Sequence, residues 1–290
     1  MKKTPSGPRR ERAAFQGERG AFSEVAVQQL MRGEDPELIA CPWFDTVFKK
    51  LSAGEVEAAV VPIENTLHGS VHENYDHLLH FDDLRIAGET SVRIVHNLIV
   101  PPGAAFRQVR RVYSHPVALN QCLRFFEEHP EIERVPFYDT AGSVKMLMEE
   151  RPAGAAAIAS SIAAEVYGAR IVKRSIEDDR KNFTRFFLLR RSGYPAPSAP
   201  PEARRGWKTS LVFTTRNQPG SLFRGLSAFA LRDLSLAKIE SRPLRGKPWE
   251  YLFYLDFLGD INEDRCRKAL GHLAELADFL RVLGCYPRGD

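Results

Sequence analysis

Short apolar runs alternate with helical patterns over the first two thirds of this 290-residue chain, and that alternation limits the fold more than any other feature. Ala13-Ala14-Phe15-Gln16, Leu38-Ile39-Ala40-Cys41 and Ala58-Ala59-Val60-Val61 read as strands, the third ended by Pro62. Between them the pattern predicts a helix from Phe22 to Leu30 and a second, capped by Asp45, running to Leu51. A second series follows, with strands at Val112-Tyr113, Val135 to Tyr138 and Ala155 to Ala159, and helices over 117–128, 140–148 and 161–167. Strands that alternate with helices build parallel sheets through crossover connections, so the chain is α/β. Ser114, Asp139-Thr140 and Ser160-Ser161 stand at the three strand-to-helix junctions of the second series. Each is a plausible N-cap worth about 1 kcal/mol; together they aim several helix N-termini at one cleft, an arrangement suited to a dianion.

Two extended passes between Leu84 and Pro101 predict strands that hinge two lobes. The stretch from Ser192 to Gly206 holds Pro195, Pro197, Pro200 and Pro201 and reads as a linker. Beyond it the rhythm changes: strand Leu211 to Phe213, helix through Leu222 and Ala230, and strands Leu234 to Ile239 and Tyr251 to Phe257 across Arg245-Gly246-Lys247-Pro248. A helix capped by Asn262 and a strand at Leu280 to Leu283 complete a βαββαβ, ferredoxin-like unit.

The formal charge of +4 is spread along the sequence apart from a basic run between Lys2 and Arg12, which reads as a disordered tail. Without aromatic interleaving or a finger motif it does not predict nucleic-acid binding, it lacks the apolar core of a signal peptide, and no apolar window predicts a membrane span. The expectation is a soluble, cytoplasmic protein. Cys41, Cys122, Cys266 and Cys285 are far apart and predict reduced thiols rather than a disulfide framework or a zinc site. His68, His72, His77 and His80 lie close together, but on a helix they share no face; an amphipathic helix with Tyr75, Leu78 and Leu79 inward fits better.

The chemistry gathers at strand ends. Asn182-Phe183-Thr184-Arg185-Phe186 precedes the apolar run Phe187-Leu188-Leu189 and brings a hydroxyl, a guanidinium and an aromatic face together. That set suits a small anion carrying an unsaturated ring: Arg185 for a carboxylate, Phe186 as a wall, Thr184 as a hydroxyl partner. Pro62-Ile63-Glu64-Asn65-Thr66 adds a carboxylate and an amide at the end of the third strand, Glu64 being either an acid or a structural acceptor. Gly17-Glu18-Arg19-Gly20, before the first helix, is either an anion cradle or a plain tight turn.

These blocks resemble those of the prephenate dehydratases that carry a C-terminal ACT regulatory domain. Thr184-Arg185-Phe186 is similar to that family's signature, and Pro62-Ile63-Glu64-Asn65 with Gly69 and Val71, and Ser114-His115-Pro116 with Gln121-Cys122, to its second and third blocks. Asp139-Thr140-Ala141, Ala157 to Ser160 and Tyr167-Gly168 extend the match. Ile239-Glu240-Ser241-Arg242-Pro243 and Pro219-Gly220-Ser221-Leu222 are similar to its amino-acid-binding motifs, although Ser221 stands where alanine is common and Phe223 where an aliphatic residue is usual. The first loop departs too, lacking the family's proline and threonine but keeping Ser23.

The resemblance implies a two-lobed, periplasmic-binding-protein-like catalytic domain over 13–191, its lobes 13–90 with 175–191 and 91–174. A tail (1–12) precedes it, and a linker (192–206) and an ACT domain (207–290) follow. It implies loss of carbon dioxide and water from prephenate without a cofactor or metal. Thr184, Glu64 and His115 would be catalytic: Thr184 bonds the leaving hydroxyl while Glu64 or His115 supplies or relays the proton. Arg185, Phe186, Asn65, Ser114, Thr140, Ser160, Asn182 and Ser23 would bind substrate. L-phenylalanine would act as feedback effector at Pro219, Gly220, Ser221, Leu222, Glu240, Ser241 and Arg242, in a homodimer or homotetramer. Arogenate dehydratases share every one of these motifs, and a non-catalytic amino-acid or solute sensor shares the two-lobed cleft.

Overall fold

In the computed structural model, which describes residues 10–194, 206–244 and 250–289, the strands form three sheets. Most of the basic tail, most of the proline-rich linker and the Arg245 to Pro248 turn lie outside the described residues. The first sheet has the order β2 (Glu37–Cys41), β1 (Arg12–Gln16), β3 (Ala58–Asn65), β11 (Phe183–Arg191), β5 (Leu84–Arg93), with β4 (Gly69–Ser70) paired to β3. Helix α1 (Phe22–Leu30) connects β1 to β2, α2 (Phe44–Ser52) connects β2 to β3, α3 (His72–His80) follows β4, and β1 runs parallel to β2 and β3. Ala13, Ala14, Phe15, Val60 and Val61 are fully buried, as expected for parallel strands covered on both faces.

The second sheet has the order β10 (Arg170–Lys173), β6 (Asn97–Val100), β9 (Ala155–Ala159), β7 (Arg111–Ser114), β8 (Glu133–Pro136). Its parallel part, β8-β7-β9, carries α4 (Pro116–Asn120), α5 (Leu123–Glu128), α6 (Thr140–Glu150) and α7 (Ser161–Val166). Leu98, Val112, Leu119, Phe125 and Ile158 form its core. The chain crosses between these two sheets at 94–96 and again at 174–182, and the crossings are tied together. Ile94 N donates to Asn182 O at 2.9 Å, and Ile176 N to His96 O at 2.9 Å. The result is the two-lobed α/β architecture.

By its contacts the chain divides into Met1–Phe81 with Thr90–Leu188, and Asp82–Glu89 with Leu189–Asp290. The second unit holds the third sheet, β13 (Leu236–Pro243), β14 (Tyr251–Leu258), β12 (Trp207–Thr214), β15 (Phe279–Pro287), with α8 (Ser221–Ala230) and α9 (Asp264–Leu276). That is the antiparallel ferredoxin-like order, with Phe213, Phe229, Leu255, Phe257 and Leu273 in its core. Residues 82–89, placed by the sequence in the first lobe, sort here for visible reasons. Glu89 takes Lys208 at 2.6 Å with both side chains buried, and a Cβ on Gly284 would collide with the Ile86 main chain.

Several local expectations change. Pro62 does not end β3, because the β1 register stops at Val60 and no β1 partner needs the missing N–H. The 117–128 helix breaks into α4 and α5 at Gln121-Cys122, where the Asp178 carboxylate accepts the Leu123 and Arg124 amides at 2.8 and 3.0 Å and starts a new helix. Asp45 lies inside the first turn of α2, whose N-cap is Trp43; Asn262 precedes the Glu263 N-cap of α9 and instead donates to Asp260. Short β4 had no apolar run to announce it, and β10 only the pair Ile171-Val172 between charged residues.

Candidate active site

β11 begins where β3 ends, and side chains bind the two ends together. Asn65 Oδ1 accepts the Leu67 and His68 amides at 2.9 and 3.0 Å, turning the chain out of β3. That leaves the two hydrogens of its NH2 group to reach Asn182 Oδ1 at 2.8 Å and Thr184 Oγ1 at 2.9 Å, with Phe183 O at 3.1 Å as a shared, bifurcated contact. Thr66 adds a second clasp, its Oγ1 donating to Lys181 O at 2.9 Å and accepting Phe183 N at 3.0 Å. Thr184 therefore accepts through its oxygen and keeps its O–H hydrogen to donate elsewhere.

Arg185 stands 3.7 Å from Glu64 Oε2, and its guanidinium lies 4.8 Å over the Phe187 ring. Glu64, Asn65, Asn182, Thr184 and Arg185 are thus brought into one cluster from positions more than a hundred residues apart. Phe186 is not an exposed wall: it is 2 % exposed and belongs to the core, because β11 is a central strand flanked by β3 and β5. Phe183, 38 % exposed, is the open aromatic at this strand end.

The other lobe supplies helix starts. His115 caps α4, Nδ1 accepting Val117 N at 3.3 Å, so the ring is neutral with its hydrogen on Nε2. Burial holds its pKa below the usual value, opposed by the nearby Asp139 charge. Asp139 caps α6 through Gly142 N at 2.7 Å, and Thr140 is the first helical residue. Ser160 caps α7 through Ala163 N at 3.0 Å and donates to Gly20 O at 2.6 Å, joining the lobes. Ser114 is fully buried and donates to Ile158 O at 2.6 Å, so its hydroxyl ties β7 to β9. Ser23 is buried in α1.

Further groups, most of them not singled out by the sequence, tie the lobes or their crossings together. Glu18 accepts Tyr138 OH at 3.0 Å and pairs with Lys145 at 3.2 Å, bridging the lobes. Local desolvation of a side chain that is still 65 % exposed, together with the Glu18 bond, pushes the Tyr138 phenol up to about 12. Buried Glu24 shapes the first loop by accepting Gly20 N at 2.7 Å and Arg19 Nε at 2.9 Å. At the crossing, buried Glu177 accepts Arg93 Nη2 and His96 N, both at 3.0 Å, and His96 Nε2 meets Gln121 Oε1 at 2.8 Å. An acidic residue five positions before Asn182 and a histidine between two apolar strands carry no motif of their own.

In the second unit, Pro219 precedes Gly220, which takes a left-handed conformation (φ 78°) as N-cap of α8. Ser221 lines a cavity of about 400 Å³ with Arg216, Gln218, Arg224 and Asp278, while Leu222 is exposed beside it. Glu240, Ser241 and Arg242 lie on the edge strand β13, Glu240 pairing with Lys238 at 3.0 Å.

Comparison with known proteins shows the family. Residues 13–193 match the family model described as prephenate dehydratase. The chain is 43 % identical to "Arogenate dehydratase/prephenate dehydratase 2, chloroplastic" of Arabidopsis thaliana, over 96 % of this chain and 73 % of that one. A prephenate dehydratase of Arthrobacter aurescens, solved in complex with L-Phe, superposes with a TM-score of 0.85 at 32 % identity, covering 95 % of this chain and 89 % of that one. A protein described as "GqqA- a novel type of quorum quenching acylases" superposes with a TM-score of 0.86 at 33 % identity, covering 95 % and 97 %. The location in the plant relatives' names overturns the expectation of a cytoplasmic protein.

Proposed function

Because the chain belongs to the prephenate dehydratase family, we propose that it converts prephenate to phenylpyruvate, carbon dioxide and water. The observation that carries the reading is the 2.9 Å bond from Asn65 Nδ2 to Thr184 Oγ1. A threonine hydroxyl is too weak an acid to protonate a leaving group by itself. Polarised by the Asn65 donor, it becomes a fixed hydrogen-bond donor to the departing ring hydroxyl. The ring carboxylate leaves as carbon dioxide, its electron pair passes into the ring, the C–O bond breaks, and hydroxide with one proton departs as water. Aromatisation drives the step.

Arg185 and the α4, α6 and α7 N-termini suit the two carboxylates. Arg185 already faces Glu64, so a bound carboxylate shares that cation, and Glu64 sits within reach of a proton relay. His115, neutral with Nδ1 engaged as a cap, fits a hydrogen-bond donor better than an acid, and the Glu64 carboxylate, which faces Arg185, fits a relay for a proton taken up from solvent.

The plant relatives' names favour a second reading, in which arogenate, with an amine in place of the keto group, is the substrate. In either case 13–191 form the catalytic domain and 207–290 the regulatory one. The L-Phe bound in the Arthrobacter protein supports phenylalanine as an inhibitor of this chain, at Pro219 to Leu222 and Glu240 to Arg242, within a homodimer or homotetramer. The test is purified protein with prephenate and with arogenate, following phenylpyruvate and phenylalanine, with and without added phenylalanine. Acyl-amide hydrolysis is the counter-assay, given the acylase relative.

A further inference from the structure

His96 lies on the first crossing between the lobes, 2 % exposed, its ring in a T-shaped contact with Phe22 at 5.8 Å between centroids. Its main-chain N–H is held by Glu177, and its Nε2 stands 2.8 Å from Gln121 Oε1. A carbonyl oxygen only accepts, so Nε2 carries the ring hydrogen and Nδ1 is bare. Among the described residues Nδ1 has no hydrogen-bond partner. Turning the amide over would move the ring hydrogen to Nδ1 and leave a buried donor with no acceptor, the costlier arrangement. The neutral ring agrees with burial lowering its pKa, against the Gln121 bond and the Glu177 charge.

The bond has a consequence at Gln121. This residue occupies the break between α4 and α5, where its main-chain oxygen also accepts Asp178 N at 2.8 Å. With main chain and amide oxygen both fixed, the planar carboxamide has one orientation, and its NH2 group makes no hydrogen bond to the described residues. Two preset donors then stand beside the crossing that leads into the Asn182 to Arg185 cluster.

We propose that His96 is a positioning residue for the reaction proposed above: its Nε2–H holds the Gln121 carboxamide oxygen so that the amide's two N–H donors face an anionic group of the substrate. The proposal rests on the dehydratase reading only for the identity of that anion.

The experiment is a double-mutant cycle of His96→Phe and Gln121→Ala, with His96→Gln as the variant that keeps a donor. It is read in phenylpyruvate binding by calorimetry and in kcat/KM. Each single variant should weaken both readouts by about tenfold. The double variant should lie within about twofold of Gln121→Ala alone, and His96→Gln within about threefold of wild type. Losses that multiply in the double variant, no recovery in folded His96→Gln, or no phenylpyruvate binding by wild type would each overturn the proposal. If His96→Phe does not fold, imidazole ¹⁵N spectra of wild type decide. A protonated Nε2 whose signal moves in Gln121→Ala and on adding phenylpyruvate supports the proposal; a bare Nε2 overturns it. Absent turnover with the binding cycle intact removes the reaction and leaves the positioning; turnover with multiplicative losses does the reverse.

Discussion

Asn65 Nδ2 and Thr184 Oγ1 are 2.9 Å apart although 119 positions separate them in sequence. The same amide group also reaches Asn182 Oδ1, so one side chain sets the Thr184 hydroxyl and fastens the start of its strand. Thr184→Val, which keeps the shape and removes the hydroxyl, should lower kcat by about 10²–10³-fold, the range for losing one preset donor. Its melting temperature should stay near that of wild type. Asn65→Ala should both slow turnover and destabilise by about 1–3 kcal/mol, since it strands buried Asn182; urea titration beside steady-state kinetics separates the two effects.

Gly20 holds the loop of one lobe against α7 of the other. Its φ is +84°, and an added Cβ would lie 2.5 Å from Ala163 Cα, a main-chain atom that cannot swing aside. Gly20→Ala should cost about 2–3 kcal/mol from strain and overpacking, measurable by chemical denaturation. Kinetics should show a weakened KM as Ser160 loses Gly20 O.

Acid should destabilise the protein in a defined window. His96 and His115 are both held below the ordinary histidine value by burial. Between their folded pKa values and about 6.5 the unfolded chain binds more protons, so stability rises with pH there and is lost on acidification below about 6.5. Asp139, whose carboxyl burial pushes up, acts with the opposite sign, its contribution present at low pH and lost as pH rises above about 3.8. Urea midpoints at pH 7.5, 6 and 5 should fall in that order, and less steeply in His96→Gln.

The second unit contains a pair whose loss should be conspicuous. Lys208 Nζ lies 2.6 Å from Glu89 Oε1 with side-chain exposures of 9 % and 3 %. Lys208→Met leaves a buried carboxylate without its cation and should cost about 3–5 kcal/mol. Adding Glu89→Gln should recover much of that loss, read as melting temperature.

The elements that the sequence announced are those with a strong local pattern. Ala13 to Gln16, Ala155 to Ala159 and the Asp139 and Ser160 caps could be read because buried parallel strands are continuously apolar and capped helices begin on short polar residues. Phe186 could not be placed, since an aromatic beside Arg185 looks the same whether its strand is central or at an edge, and strand order is a long-range property. His96 and Glu177 were silent for a related reason, and the lobe-bridging part of Glu18 with them: each works through a partner 25 or more residues away. The break at Gln121 was equally hidden, because the Asp178 carboxylate that starts the second helix comes from the far crossing. The Glu64-Asn65 and Thr184-Arg185 blocks could be read because they sit at strand termini, where polar residues interrupt apolar runs.

Turnover of prephenate and of arogenate by wild type and by Thr184→Val, followed in parallel as phenylpyruvate and phenylalanine formed, tests the whole account most directly. Rapid, saturable aromatic product from at least one of the two, falling at least a hundredfold in the valine variant while the fold persists, is the outcome required. Product from neither, or equal rates with and without the Thr184 hydroxyl, would contradict it.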